Sequence, residues 1–393
     1  MSKLSQISKL PNWKVLVEHL QKYFFRPDLE ALEVALSAVA SHAAIKGDPV
    51  WLFVQGPSGS GKGEIIVNSL RNIPPYTKVL GALNRNSLIS FNRGIPGGEL
   101  MNLHQQPNGD RSGIFVFKDF TTLLSLREEE RTEVIAQLRE VYDGSWTRST
   151  GSGSQLWKGK VTCIAACTPA LENAWGLKRD LGERFLTVRW YRTGSIELAK
   201  AAGRQRGMET IIRTTTSELA ANFVNSTPIA SLPDIPDPIF EKIGNLSELV
   251  AVLRASVPRS PSGKREVLGE PVPEEPGRIH KSLSALASAH AALFHHPEVE
   301  EDDYRIARRV ALDSIPSNRF SVFRTLPNSE EWINPQTWAK LSRVSPSTIT
   351  WNADDMAALG ALEINEEKEV KEYRLSEKFK ELLKGANLTL PLV

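Results

Sequence analysis

Apolar residues recur at helical spacing through Trp13–Phe25 and again through Pro27–Ile45, with Pro27 placed where a helix can open. Asp48-Pro49 breaks the pattern, and the apolar run Val50–Val54 predicts a short buried strand. A glycine-rich stretch separates that strand from an apolar helix predicted over Lys62–Leu70. Further strands are predicted at Lys78–Leu80, Gly113–Phe117, Val161–Ala166 and Phe185–Val188, and a charged amphipathic helix over Arg127–Tyr142. Asp143-Gly144 opens a turn, and Ser149–Ser154 forms a Ser/Gly tip between short segments around Trp146 and Trp157, the pattern of a hairpin. Strands alternating with helices predict the α/β class, a parallel sheet covered on both faces.

Beyond Arg254 the composition shifts to Pro, Gly and charge as far as Gly277, which predicts a long loop; Arg278–Phe294 and Asp302–Asp313 return to helical spacing. The stretch Asn334–Leu383 predicts helix, tight turn, helix, two strands about a charged turn at Asn365–Lys368, then a helix, the order of a winged helix-turn-helix. The domain division is an N-terminal helical segment (1–47), a nucleotide-binding core (48–225), a helical lid (226–315) and a winged helix-turn-helix domain (316–393). No internal repeat is present.

The composition narrows the class. A chain of 393 residues suits two or three domains, and a net charge of +2 leaves nucleic-acid contact to local clusters. Two cysteines, Cys163 and Cys167, sit in one apolar run and exclude a disulfide framework or a cysteine-rich zinc site. The polar start, Met1–Lys9, does not read as a signal peptide, and no apolar stretch is long enough to cross a bilayer, so a cytoplasmic protein with no membrane partner is expected.

The sharpest motif is Gly56-Pro57-Ser58-Gly59-Ser60-Gly61-Lys62, which fills the first seven positions of GxxxxGK[ST]. In that pattern loop N–H groups surround phosphates, the lysine meets their β and γ oxygens, and the next helix directs its positive end at them. Gly56–Glu64 is therefore the expected nucleotide-binding segment, for ATP with Mg²⁺; the other reading, a Gly/Ser surface turn, would need neither the flanking strand nor the lysine. Gly63 stands where Ser or Thr would place a hydroxyl on the metal. The strand ending at Phe117 should deliver two acids, yet the sequence is Lys118-Asp119: Asp119 is the candidate for metal or attacking water, or else an ordinary turn aspartate. Thr168, after the strand Val161–Ala166, is a candidate sensor of the γ-phosphate, or a cap of the following helix.

The order of these segments, from Val50 to Leu312 and about two thirds of the chain, resembles the AAA+ core of the minichromosome maintenance (MCM) helicases and of smaller MCM-like ATPases of phages and other mobile elements. Leu138–Thr147 followed by Gly159–Pro169 looks like the family's pre-sensor hairpin and sensor strand. Gly182-Glu183-Arg184-Phe185 looks like its Ser-Arg-Phe, and Arg278–Leu283, Ala287–Ala291 and Val299–Asp302 look like its lid helices. The resemblance implies that Arg184 is an arginine finger reaching a neighbour's γ-phosphate and Arg278 a second sensor. It also implies a homo-oligomeric ring, a hexamer by family likeness. The plain readings are an ion pair of Arg184 with Glu183 or Asp180, and a solvated helix-start arginine at Arg278. The chain departs from the family in having only a short helical segment before its first strand, and in a hairpin tip, Thr150–Ser154, without a basic residue.

Two places could hold DNA. In the hairpin, Trp146 and Trp157 interleave with Arg148, Lys158 and Lys160, a combination suited to a single strand, unless the tryptophans pack on the core. In the winged helix, five basic residues from Asn334 to Arg374 (Lys340, Arg343, Lys368, Lys371, Arg374) meet seven acids, which favours a protein partner over phosphate. The leading expectation is an MCM-like ATPase acting as a DNA translocase, helicase or replication remodeller. The rivals are an ATP-bound assembly switch with little hydrolysis, which Gly63 and Lys118 favour, and a protein-remodelling ring.

Overall fold

A row of consecutively buried residues, Ala31–His42, lies on one face of a mostly parallel sheet, and the sheet's other face carries an aromatic core. The computed structural model describes residues 10–45, 47–73, 76–92, 95–150, 153–173, 184–191, 196–227, 229, 231–260, 266–327, 331–367 and 369–392. Expectations that fall on Met1–Lys9, the tip residues Gly151 and Ser152, Asp180, Gly182, Glu183 and Lys368 lie outside them. The chain divides into two compact units: residues up to Asp234 together with Ala285–Ile306, and Ile235–Ser284 together with residues from Ala307 onward.

In the first unit two helices, α1 (Pro11–Tyr23) and α2 (Leu29–Ala44), precede strand β1 (Trp51–Gln55). Pro27 does not open α2: Asp28 does, its carboxylate accepting from Ala31 N at 3.1 Å. After β1 the chain makes a π-helical turn, Gly63–Val67, which runs on as Asn68–Leu70 (together α3). Then come β2 (Thr77–Leu80), a small hairpin of β3 (Ser90–Asn92) and β4 (Ile95–Gly97), β5 (His104–Gln105) and β6 (Arg111–Phe117). A 3₁₀ turn (Phe120–Ser125) leads to α4 (Glu128–Tyr142), followed by the hairpin β7 (Ser145–Thr150) and β8 (Gly153–Cys167). The unit continues with α5 (Ala170–Asn173), β9 (Phe185–Arg189), α6 (Ile196–Arg204) and α7 (Glu209–Asn225). The pieces β3, β4 and β5 have no counterpart in the sequence reading.

The parallel strands stand in the order β2-β6-β8-β1-β9, with β5 added antiparallel to β6 and β7 antiparallel to β8. Period-two alternation sends Trp51, Phe53, Phe115, Phe117, Cys163 and Ala165 into one cluster with Val134, Ile135, Leu138, Val141 and Tyr142 of α4. The residues between them face α2, as the bond of His42 to Thr162 shows. Covering both faces is what a parallel sheet requires, and it explains why β1 is buried at every position. At Gly159 any Cβ would stand 1.7 Å from the Arg111 carbonyl oxygen, so only glycine lets β8 pass β6 there.

The second unit contains α8 (Asp237–Arg254), α11 (Ser317–Phe323), α12 (Pro335–Ser342), α13 (Pro346–Ala358), the antiparallel pair β10 (Leu362–Asn365) and β11 (Glu372–Leu375), and α14 (Glu377–Gly385). Two further helices, α9 (Gly277–Leu293) and α10 (Glu301–Ser314), have residues in both units. Side chains set the ends: Asn334 caps α12, Ser345 caps α13 and Ser376 caps α14, while Arg343 turns out of α12 at φ 59°. Buried Arg319 donates to the carbonyls of Leu253 and Ala255 at 2.7 Å and to Asp355 at 3.1 Å, which fixes α13 to the end of α8. Residues 255–276 carry no helix or strand where they are described, apart from one bridge between Arg259 and Val267, as the Pro/Gly-rich composition predicts.

Candidate functional site

The glycine-rich loop leaves the sheet where its connectivity reverses. Strand β1 lies between β8 and β9, and its successor β2 is at the far edge. In open parallel sheets the crevice beyond the strand C-termini at such a point is where ligands sit. Both neighbours tie down the loop's start: Gly56 N donates to Cys167 O of β8 at 3.1 Å, and Trp190 N donates to Gln55 O at 2.7 Å. Gly59 and Gly61 adopt φ of 72° and 81°, so glycine is needed at both. Ser60 N bonds Pro57 O at 3.4 Å, and Ile65 N bonds Gly61 O at 3.0 Å, starting α3 within the loop. Ser58 is exposed, at the outer part of the turn.

Lys62 is buried, and its ammonium donates to Pro57 O at 3.0 Å. Burial lowers its pKa, while Cys167 and Asp119 beside it act the other way. Lys62 is thus a partly desolvated cation directed across the loop, an arrangement that favours an anionic ligand. Gly63 has open space around it: a Cβ there would meet nothing within 4 Å. Glu64 forms a two-pronged ion pair with Arg213 of α7, both contacts 2.7 Å, and its backbone oxygen accepts from Asn68.

The C-terminal ends of β6 and β8 bring Asp119 and Thr168 together through Thr121. Asp119 is exposed and caps the 3₁₀ turn, accepting from Thr121 N at 2.9 Å. The Thr121 hydroxyl accepts from Thr168 N at 2.9 Å and lies 3.3 Å from the Thr168 hydroxyl. Lys118 is exposed beside them, its backbone N donating to Leu80 O. Loop, lysine, the Asp119 carboxylate and the hydroxyls of Thr121 and Thr168 therefore share one end of the sheet. That set can grip a polyphosphate, and Asp119 is the carboxylate available to a divalent cation.

Arg184 is elsewhere. It precedes β9, whose other end, Arg189, is level with Gln55. The strand's rise puts Arg184 about 16 Å from that end. Arg184 pairs with Asp143 at 3.0 and 3.1 Å and lies over the Tyr142 ring; its expected partners Glu183 and Asp180 lie outside the described residues. Arg278 is at the start of α9, half-buried, in the second unit.

The hairpin turns its tryptophans inward. Trp157 is 1% exposed in the aromatic core, directly opposite Trp146, which packs against the same cluster. The Trp157 indole N–H has no hydrogen-bond partner among the described residues. Arg148, on the same face, donates to the carbonyls of Arg85 and Ile89 and to Asn86 Oδ1. Lys160 donates to the carbonyls of His42 and Ile45, closing the C-terminus of α2, and burial lowers its pKa to about 8. Lys158 alone of these five is exposed.

Sequence reasoning passed over three residues that shape the site. Thr121 links Asp119 to Thr168, Arg213 holds Glu64, and Trp190 packs on the loop and donates its indole N–H to Ser60 O at 3.1 Å. Spacing gives no sign of Trp190, because the contact joins residues 130 positions apart. Thr121 carried a local signal: a hydroxyl two residues after the one acid at the end of β6. No helix among the described residues is long and apolar enough to cross a membrane. No protein-family model matches the chain, and no curated protein is similar enough to count as a relative.

Proposed function

We propose that this chain is an MCM-like AAA+ ATPase that binds ATP with Mg²⁺ at Gly56–Glu64, assembles as a homo-oligomeric ring and works on single-stranded DNA. The observation that carries the nucleotide reading is the position of the loop. It leaves β1 at the connectivity reversal, with buried Lys62 inside it and Asp119 and Thr168 at the ends of β6 and β8. Lys62 and the loop N–H groups hold the phosphates, Asp119 takes the metal or the attacking water, and Thr168 meets the γ-phosphate. Asp119 is the residue that would hold Mg²⁺, which would supply charge neutralisation to the phosphates. The distance of Arg184 from its own loop supports service to a neighbour's nucleotide, where its charge stabilises the transferring group. Arg278 is assigned as the second sensor. Lys158 is the hairpin cation free to meet phosphate. The second unit supplies the winged helix. Its cations Lys371 and Arg374 are paired with acids, which supports a protein partner there.

A second reading, an ATP-bound assembly switch that turns over slowly, is favoured by one specific set of observations. Gly63 offers no hydroxyl, Lys118 occupies the first acidic position, and Asp119 is already used as a helix cap. Steady-state hydrolysis with Mg²⁺, with and without single-stranded DNA and beside Lys62→Ala, separates the two. Turnover that rises with DNA and vanishes in Lys62→Ala is the expected result. Nucleotide binding without any Lys62-dependent turnover establishes the switch instead.

A further inference from the structure

Trp190 follows β9 directly, is 2% exposed, and meets the end of β1 at one point and the glycine-rich loop at two. Its backbone N–H takes Gln55 O at 2.7 Å, and its indole N–H takes Ser60 O at 3.1 Å. Its Cβ is so close to Gly56 that a Cβ on that glycine would come within 2.9 Å of it. The second contact has a directional consequence. In a trans peptide the C=O and the following N–H point opposite ways. A Ser60 carbonyl held by the indole therefore turns the Gly61 N–H away from Trp190. The positive φ of Gly61, 81°, then carries the chain from that peptide into Lys62.

We propose that Trp190 is a positioning residue for phosphate binding, fixing the Ser60–Gly61 peptide so that the Gly61 N–H faces an anionic phosphoryl group. The inference rests on the nucleotide reading above and adds to it a residue that touches no phosphate itself. A flexible glycine-rich loop samples many peptide orientations, and each must be given up on binding. The indole bond removes one of those freedoms in advance. A tryptophan that served packing alone would have no need to spend its N–H on the loop.

The test uses the full chain and Trp190→Phe, which keeps an aromatic ring and deletes the donor. Hydrogen exchange over residues 58–63 reads the loop directly, and calorimetric titration with ADP and with inorganic pyrophosphate reads the cradle. Faster exchange in the loop is expected, with ADP and pyrophosphate weakened by the same factor, about tenfold. The equal loss matters: pyrophosphate has no base or sugar, so the effect must lie at the phosphates. Gly56→Ala, which pushes against the same residue from the loop's side, should do likewise, and it decides the matter should Trp190→Phe fail to fold. Unchanged exchange and unchanged pyrophosphate affinity in a folded variant overturn the role of Trp190 and leave the nucleotide reading standing. A wild-type chain that binds neither ligand overturns both.

Discussion

Arg184 and Asp143 meet side to side at 3.0 and 3.1 Å, the arginine nearly buried and the aspartate half in solvent. This pair separates a structural role for Arg184 from a catalytic one. Losing an ion pair with one exposed partner costs about 1 kcal/mol of stability, whichever side is removed. Asp143→Asn should therefore match Arg184→Ala in thermal stability while keeping ATP turnover. Arg184→Ala should abolish turnover and leave ADP affinity nearly intact. Equal turnover in the two variants would remove the ring mechanism.

The open space around Gly63 makes the missing hydroxyl a testable deficit. Gly63→Ser places an Oγ at the metal-facing position of the motif without a clash, and replacing a helical glycine adds up to about 0.5 kcal/mol of stability. The expected outcome is a lower Mg²⁺ requirement for turnover, read as the half-saturating Mg²⁺ concentration of the hydrolysis rate. An unchanged Mg²⁺ dependence would mean that the hydroxyl is not what limits the site.

Lys158 and Lys160 are two residues apart yet have different work. Lys160 closes the C-terminus of α2 through two carbonyls, so Lys160→Ala should destabilise by about 1–2 kcal/mol in denaturant titrations. Lys158→Ala should leave stability unchanged and weaken single-stranded DNA binding, measured by fluorescence anisotropy at low salt. DNA affinity that is indifferent to Lys158 would take the hairpin out of the DNA reading.

The contrast between those lysines also shows what the sequence held and what it did not. The strands at Val50, Gly113, Val161 and Phe185 were legible because strands buried on both faces are apolar at nearly every position, and the loop was legible because its motif is local. The hairpin was readable further than it was read. Trp157 and Lys158 are neighbours on one strand and must point to opposite faces, whereas Trp146 and Arg148 share a face. Aromatic and basic residues there could not all line one surface, and the structure buries the tryptophan face. The contacts of Trp190 with Ser60, and of His42 with Thr162 and Ser112, join positions 70 to 130 residues apart, and nothing in local spacing announces them.

Those long-range histidine contacts make stability depend on pH in two opposed ways. His42 is buried between the Thr162 hydroxyl at 3.0 Å and the Ser112 hydroxyl at 2.8 Å. Burial, helped by the Lys160 cation, holds its pKa at about 3. The unfolded chain takes up that proton near pH 6.5 and the folded chain does not, so stability is lost as pH falls below 6.5, by about 2 kcal/mol at pH 5. His290 and His296 act in the other direction. Both bond Asp303, His290 at 2.5 Å and His296 at 3.0 Å, with Glu33 also facing His290 and Arg305 bound to Glu33. For His290 burial opposes the charge, but the bond to Asp303 and the Glu33 carboxylate 3.8 Å away outweigh it; for His296 the bond to Asp303 leads, and both pKa values rise. Their contribution is complete below pH 6.5 and fades as pH rises through the raised values. Melting temperatures from pH 5 to 8 should therefore fall less steeply on the acid side in His42→Gln than in the wild type. His296→Gln should flatten the alkaline side and leave the acid limb alone. Parallel profiles for wild type and His42→Gln below pH 6.5 would show that His42 titrates in the folded chain as it does in water.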